Sequence, residues 1–213
     1  ESGAIRFGLA AVRNVGETAI ESMEQVRSTN GSFRSLIDFC ARVDVRILNK
    51  RAIESLIKCG AFDSLGTERN QLLSSLDSAM QDAARTQRDR ISGQMGLFGQ
   101  DTMESIHQVQ NTVEVPPSTP RERLMWEKEA TGFYITGHPL DDYRDTLSCL
   151  LPISDILTGL RKDRQLVRIG GILTNTKRYT TKKGDTMLFA EMEDYSGHIE
   201  LTVFPRVFYA HVS

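Results

Sequence analysis

Phosphate binding is the first chemistry the residues of this chain offer, at Leu9-Ala10-Ala11-Val12-Arg13-Asn14-Val15-Gly16-Glu17-Thr18-Ala19-Ile20. A helix-hairpin-helix needs a left-handed turn residue, an apolar plug between two helices and a glycine opening the second helix. Asn14, Val15 and Gly16 supply these in order, asparagine being a residue that tolerates the left-handed region. The free amides at the start of the second helix then suit a backbone phosphate, held without reading bases, and Arg13 adds a charge. A hairpin used only for packing would carry the same residues. A second hairpin, Val43-Asp44-Val45-Arg46-Ile47-Leu48-Asn49-Lys50-Arg51, repeats the layout with a longer turn lacking glycine. Arg46, Lys50 and Arg51 cluster where a helix begins. Cations there oppose the helix dipole, which favours a phosphate contact over a purely structural role.

Two further stretches offer binding chemistry. In Gln94-Met95-Gly96-Leu97-Phe98-Gly99, the side chains of Gln94, Met95, Leu97 and Phe98 stand in an otherwise polar stretch. A short extended peptide of this kind suits an apolar pocket on a partner protein. A local anchor holding a linker on its own domain reads the same way. Between residues 161 and 183, Arg161, Lys162, Arg164, Arg168, Lys177, Arg178, Lys182 and Lys183 face one acid, Asp163, with Tyr179 among them. A basic strand and hairpin with an interleaved aromatic fits a single-strand track, the plainer reading being a solvated hairpin.

Catalysis is not expected. No aspartates are spaced to hold two magnesium ions, and no P-loop, GxSxG or HExxH occurs. His107, His138, His198 and His211 have no ligand spacing, and His138 before Pro139 fits a turn. With 213 residues, 39% of them hydrophobic, the chain has material for one large domain or two small ones. Its net charge of −2 means that any nucleic-acid surface is local. Cys40, Cys59 and Cys149 are scattered, which argues against a disulfide framework or a zinc site and fits a reducing cytoplasm. No apolar run reaches membrane-spanning length, so no membrane partner is expected. The chain opens at Glu1 in mid-pattern and reads as a piece of a longer protein.

The elements that must position these residues are mainly helical. Helical periodicity predicts a helix over 17–26, a second through Leu36, Ile37, Phe39 and Cys40, and a third from Asn49 with Ile53, Leu56 and Ile57 inward. Gly60 has the place of a C′ stop. Residues 67–91 predict a long helix and 92–117 a linker ending in Pro116-Pro117. Thr119, Pro120 and Glu122 form a capping box opening a helix to about Ala130, and Pro139 opens another to Leu147. From Gln165 the period changes to strands over 166–173, bent at Gly170-Gly171, then 187–193 and 198–204. The expected class is a mainly α chain, tandem helix-hairpin-helix and further helices, followed by a β segment forming part of an OB-fold barrel. The expected division is 1–66, 67–160 and 161–213.

These pieces occur in an order that resembles the bacterial DNA polymerase III α subunits. The resemblance is carried by Ile5-Arg6-Phe7-Gly8-Leu9 through Gly16, by Phe39 to Asp44, by Asn49-Lys50-Arg51, by Leu56 to Asp63, and by Glu129 to Leu140. It covers essentially the whole chain. It implies that 1–66 contacts duplex DNA, that Gln94 to Phe98 is the internal motif for the β sliding clamp, and that 161–213 opens an OB domain associated with single-stranded template. Gly96 stands where serine or aspartate is more usual. The parent would be a DNA-directed DNA polymerase working with other holoenzyme subunits, its Mg2+ and dNTPs held by a palm with no counterpart here. No cofactor is expected in this chain. Two other readings stay open: a replisome interaction scaffold that does not touch DNA, and the OB-type appendage of a tRNA-directed enzyme.

Overall fold

Gly16 opens the first helix because the chain before it must turn sharply, and the rest of the helical part follows from similar local stops. The computed structural model describes residues 8–44, 47–91, 115–159 and 164–211. It divides into two compact units, Glu1–Thr136 and Gly137–Ser213.

In the first unit a 3-10 turn, Leu9–Ala11, precedes helix α1, Glu17–Asn30. Helix α2 is Leu36–Arg42, capped by Ser35, whose side chain accepts from the Asp38 amide. Helix α3 is Lys50–Lys58, capped by Asn49 through the Ala52 amide at 2.9 Å. Gly60 ends it at φ 85°, with Gly60 N–H donating to Ile57 O and Ala61 N–H to Leu56 O. Helix α4 is Arg69–Ile91 and α5 is Pro120–Thr131. The capping box at Thr119 and Glu122 is formed reciprocally, as its spacing predicts.

The apolar faces of these helices meet in one core. Val12, Val15, Met23, Phe39, Leu48, Ile53, Leu56, Ile57, Leu76 and Ala83 are all buried in it. Phe39 packs edge to face on both Phe33 and Phe62, with centroids 4.9 Å apart in each pair. Helix α4 serves as the floor for α2 and α3.

The second unit is built on a three-stranded antiparallel meander: β1 Ile172–Thr180, β2 Thr186–Glu193 and β3 His198–Val203. The sheet is not closed among the described residues. Thr181 and Asp185 close the first turn, with Gly184 at φ 86°. Short helices α6, Arg144–Ser148, and α7, Ile153–Leu157, precede the strands, and α8, Pro205–His211, follows them. Helix α8 presses Phe208 onto Leu188 and Ala190. Tyr209 Oη accepts from the Thr186 amide at 2.9 Å.

Three differences from the sequence reading stand out. The first strand begins after Gly170-Gly171 rather than running through them. Leu151 N–H donates to Arg168 O, so this segment pairs with the loop before α7, and Leu166 is left 97% exposed. The helix expected from Pro139 is a 3-10 turn, Asp141–Tyr143, followed by α6. Residues 137–159 belong to the unit of the strands, where Ile153 N–H reaches Asp194 at 2.8 Å and Ser154 N–H reaches Ser196 at 3.0 Å.

Candidate nucleic-acid interface

The first hairpin turn is fixed from three sides. Asn14 takes φ 65°, the left-handed conformation its place in the motif requires. Its side-chain amide donates to Ser55 Oγ on α3 at 3.0 Å. Arg13 N–H donates to Ala130 O at the end of α5 at 2.7 Å. Val15 is 7% exposed and lies in the core with Val12. The plug thus sets the turn from inside while hydrogen bonds set it from its flanks.

What this leaves outside is the start of α1. Gly16 is exposed, and the first amides bonded within the helix are those of Ala19 and Ile20, both to Gly16 O. The amides of Glu17 and Thr18 have no partner among the described residues. The Arg13 side chain, at the head of the turn, is exposed. Glu17 places one carboxylate in the same first turn, which favours the helix and works against an anion.

The second hairpin is arranged differently. Leu48 is 1% exposed and acts as its plug, while Ile47 is 43% exposed. Lys50 is already engaged, with its ammonium 2.6 Å from Asp77 and 3.9 Å from Glu54. The Asp77 hydrogen bond, ahead of the attraction of both carboxylates, keeps its pKa above the ordinary lysine value. Arg51 is exposed without an ion pair among the described residues. Arg46 lies outside the described residues.

On the sheet, the basic residues separate by strand alternation. Lys177 is registered opposite Phe189, and Tyr179 opposite Met187. The rings of Tyr179 and Phe189 lie 6.3 Å apart. Arg178 points to the other face, its guanidinium 5.6 Å above the Phe208 ring. Lys182 and Lys183 are exposed in the hairpin turn. Arg168 is exposed on the irregular segment before β1. The structure therefore brings Lys177 and Tyr179 together, and it turns Arg178 away from them. Phe189 was missed from sequence because a phenylalanine in an apolar strand reads as core.

A buried ion pair holds the chain where it leaves α5. Glu127 is fully buried and accepts from the Ile135 and Thr136 amides, both at 2.9 Å, and from Arg69 at 3.1 Å. Arg69 also grips Asp63 at 2.6 Å and the Lys58 carbonyl at 3.0 Å. In the second unit Asp141 accepts from Arg144, from His138 N–H and from Tyr195 Oη, which together hold its pKa at about 2. Asp194 is also held below the usual carboxylate range. Burial opposes its charge, but bonds from Ile153, Ser196 and Gly197 outweigh that cost. Among the described residues no cluster of acids, histidines or cysteines could hold a metal, and no helix is long and apolar enough to cross a membrane. Gln94, Met95, Leu97 and Phe98 lie outside the described residues.

Residues 1–72, which hold the turn plugged by Val15 and the exposed helix start, match the family described as helix-hairpin-helix motif. Nearly the whole chain is in turn similar to bacterial DNA polymerase III α subunits, as its sequence order implies. It is 35% identical to that of Pseudomonas aeruginosa over 226 residues, covering 99% of this chain and 19% of the relative. It is 36% identical to that of Deinococcus radiodurans over 214 residues, covering 96% and 16%, and 35% identical to that of Vibrio cholerae, covering 96% and 18%. The chain spans less than a fifth of the length of the curated relatives it matches.

Proposed function

We propose that this chain is a non-catalytic segment of a bacterial replicative DNA polymerase, and that it holds the enzyme on its DNA. The observation that carries the reading is the first hairpin, where the turn of Asn14, Val15 and Gly16 leaves the Glu17 and Thr18 amides without a partner among the described residues, with Arg13 exposed at the head of that turn. Such a helix start suits a duplex phosphate and reads no bases. Residues 1–66 supply this duplex contact, to which Arg46 and Arg51 of the second hairpin add charge. Lys50 contributes less, because Asp77 and Glu54 already neutralise it.

Residues 67–160 carry the tether. Gln94, Met95, Leu97 and Phe98 dock on the β sliding clamp as a short apolar peptide. A clamp encircling DNA makes each rebinding intramolecular, so a weak peptide suffices. Residues 161–213 begin an OB-type barrel. Arg168, Lys177, Tyr179, Lys182 and Lys183 guide the single strand, and Arg178 braces the sheet against α8. The supports are the open antiparallel meander with its basic hairpin and the name shared by the relatives. The templated nucleotidyl transfer belongs to the rest of such a polymerase, with the other holoenzyme subunits as partners in the cytoplasm.

Duplex binding measured at rising salt tests the first part. Affinity should fall linearly on a log–log plot, and Arg13→Ala and Arg51→Ala should each reduce the slope by about 1. A wild-type affinity indifferent to salt would leave the scaffold reading in its place. Binding of a β sliding clamp to the chain and to Leu97→Ala/Phe98→Ala tests the second. Equal binding by both would reduce residues 94–98 to a linker anchor.

A further inference from the structure

Phe189 is an apolar side chain left in water at the middle of a strand. Its neighbours Leu188 and Ala190 are buried under α8, whereas Phe189 is 44% exposed on the opposite face. Tyr179, 51% exposed, meets it edge to face at 66°. Lys177 is registered directly across from Phe189. Lys177, Lys182 and Lys183 have no ion-pair partner among the described residues.

Charge on this face changes sign along the strands. Lys177 and the turn lysines occupy the hairpin end. Two residues beyond Phe189, Glu191 is registered opposite Glu200, and then Glu193 opposite His198. Like charges set directly opposite disfavour the sheet, and they repel a phosphate backbone.

We infer that Phe189, with Tyr179, stacks bases of single-stranded DNA that crosses the sheet at its hairpin end, between Lys177 and the turn lysines, and is turned away by Glu191 and Glu200. An aromatic pair beside cations is what a base and its phosphate each require: a π-face for one and a positive charge for the other. The inference rests on the single-strand reading proposed above. It adds to that reading a residue, Phe189, and a limit to the path.

The test is equilibrium binding of the whole chain to a labelled oligothymidylate and to an abasic strand of the same length. Phe189→Leu should weaken the thymidylate by a factor of roughly five to one hundred and fifty per stacked base and leave the abasic strand unchanged. Phe189→Tyr should restore thymidylate binding. Lys182→Ala/Lys183→Ala should weaken both strands and flatten the salt dependence. If Phe189→Leu binds thymidylate like wild type while the lysine variant loses it, the strand runs along the lysines without stacking. The inference then fails and the single-strand reading survives. If wild type binds neither strand, both fall. Equal loss of both strands in Phe189→Leu without recovery in Phe189→Tyr marks a distorted sheet and also overturns the stacking site.

Discussion

Single side chains carry three expectations. Glu127 is 0% exposed and Arg69 4%, and they pair with each other while each bonds further groups. Removing one partner of such a pair leaves a buried charge uncompensated, at a cost of about 3–5 kcal/mol. Arg69 keeps Asp63, so Glu127→Ala should fall near the lower end of that range in urea denaturation. The amides of Ile135 and Thr136 also lose their acceptor. Burial pushes the Cys40 thiol up to about 12, while Cys149 is exposed. Alkylation at pH 8, followed by mass spectrometry, should mark Cys149 first and Cys40 only on unfolding. Asp141 has a folded pKa of about 2 against an ordinary 3.8. Its contribution is therefore complete above 3.8 and is lost as pH falls through about 2. The near-ultraviolet signal of Tyr195 should change across that window in the wild type and not in Asp141→Asn.

Elements in this chain are begun and ended by single residues, which makes their boundaries testable. Gly60 has φ 85°, and a Cβ there would collide with the Arg69 guanidinium and come within 2.7 Å of Asp63. Gly60→Ala combines the left-handed penalty, about 1–2 kcal/mol, with displacement of the Arg69–Asp63 bridge. It should destabilise the chain by at least about 2 kcal/mol, read from the urea midpoint. Thr119 is exposed to a simpler test. Its hydroxyl accepts from the Glu122 amide at 3.2 Å, and Thr119→Ala should cost about 1 kcal/mol. The strand that was expected to bend at Gly170-Gly171 shows the opposite use of glycine. A Cβ at Gly170 would meet Leu147 at 2.8 Å and Leu150 at 2.6 Å, and at Gly171 it would run into the Glu193 carbonyl. These glycines permit close packing ahead of β1, not curvature within it.

At the scale of the molecule the two units differ in how much core they own. The first has a continuous apolar cluster from Val12 to Ala130. The sheet of the second rests on Leu188, Ala190 and Phe208, with Leu201 and Val203 beside them. Local opening is governed by such apolar packing. In native-state hydrogen exchange the amides of α3 and α4 should therefore be the slowest, and those of β1, on the sheet's edge, should exchange earlier.

Much of this was legible in the sequence, because it depends on contacts a few residues apart. The left-handed Asn14, the plug at Val15, the caps at Asn49 and Thr119, the stop at Gly60 and the span of α4 are all set by residue type at short spacing. The order of motifs carried the likeness to the polymerase III α subunits. Tertiary structure decided what depends on distant partners. Asp77 on α4 neutralises Lys50 from 27 positions away, and no local pattern announces it. The alternation of β1 sends Arg178 beneath the sheet to Phe208, a helix residue 30 positions later. Phe189 stays in water because α8 covers only one face of the sheet. Sequence determines which groups can bind; packing determines which of them are left free to do so.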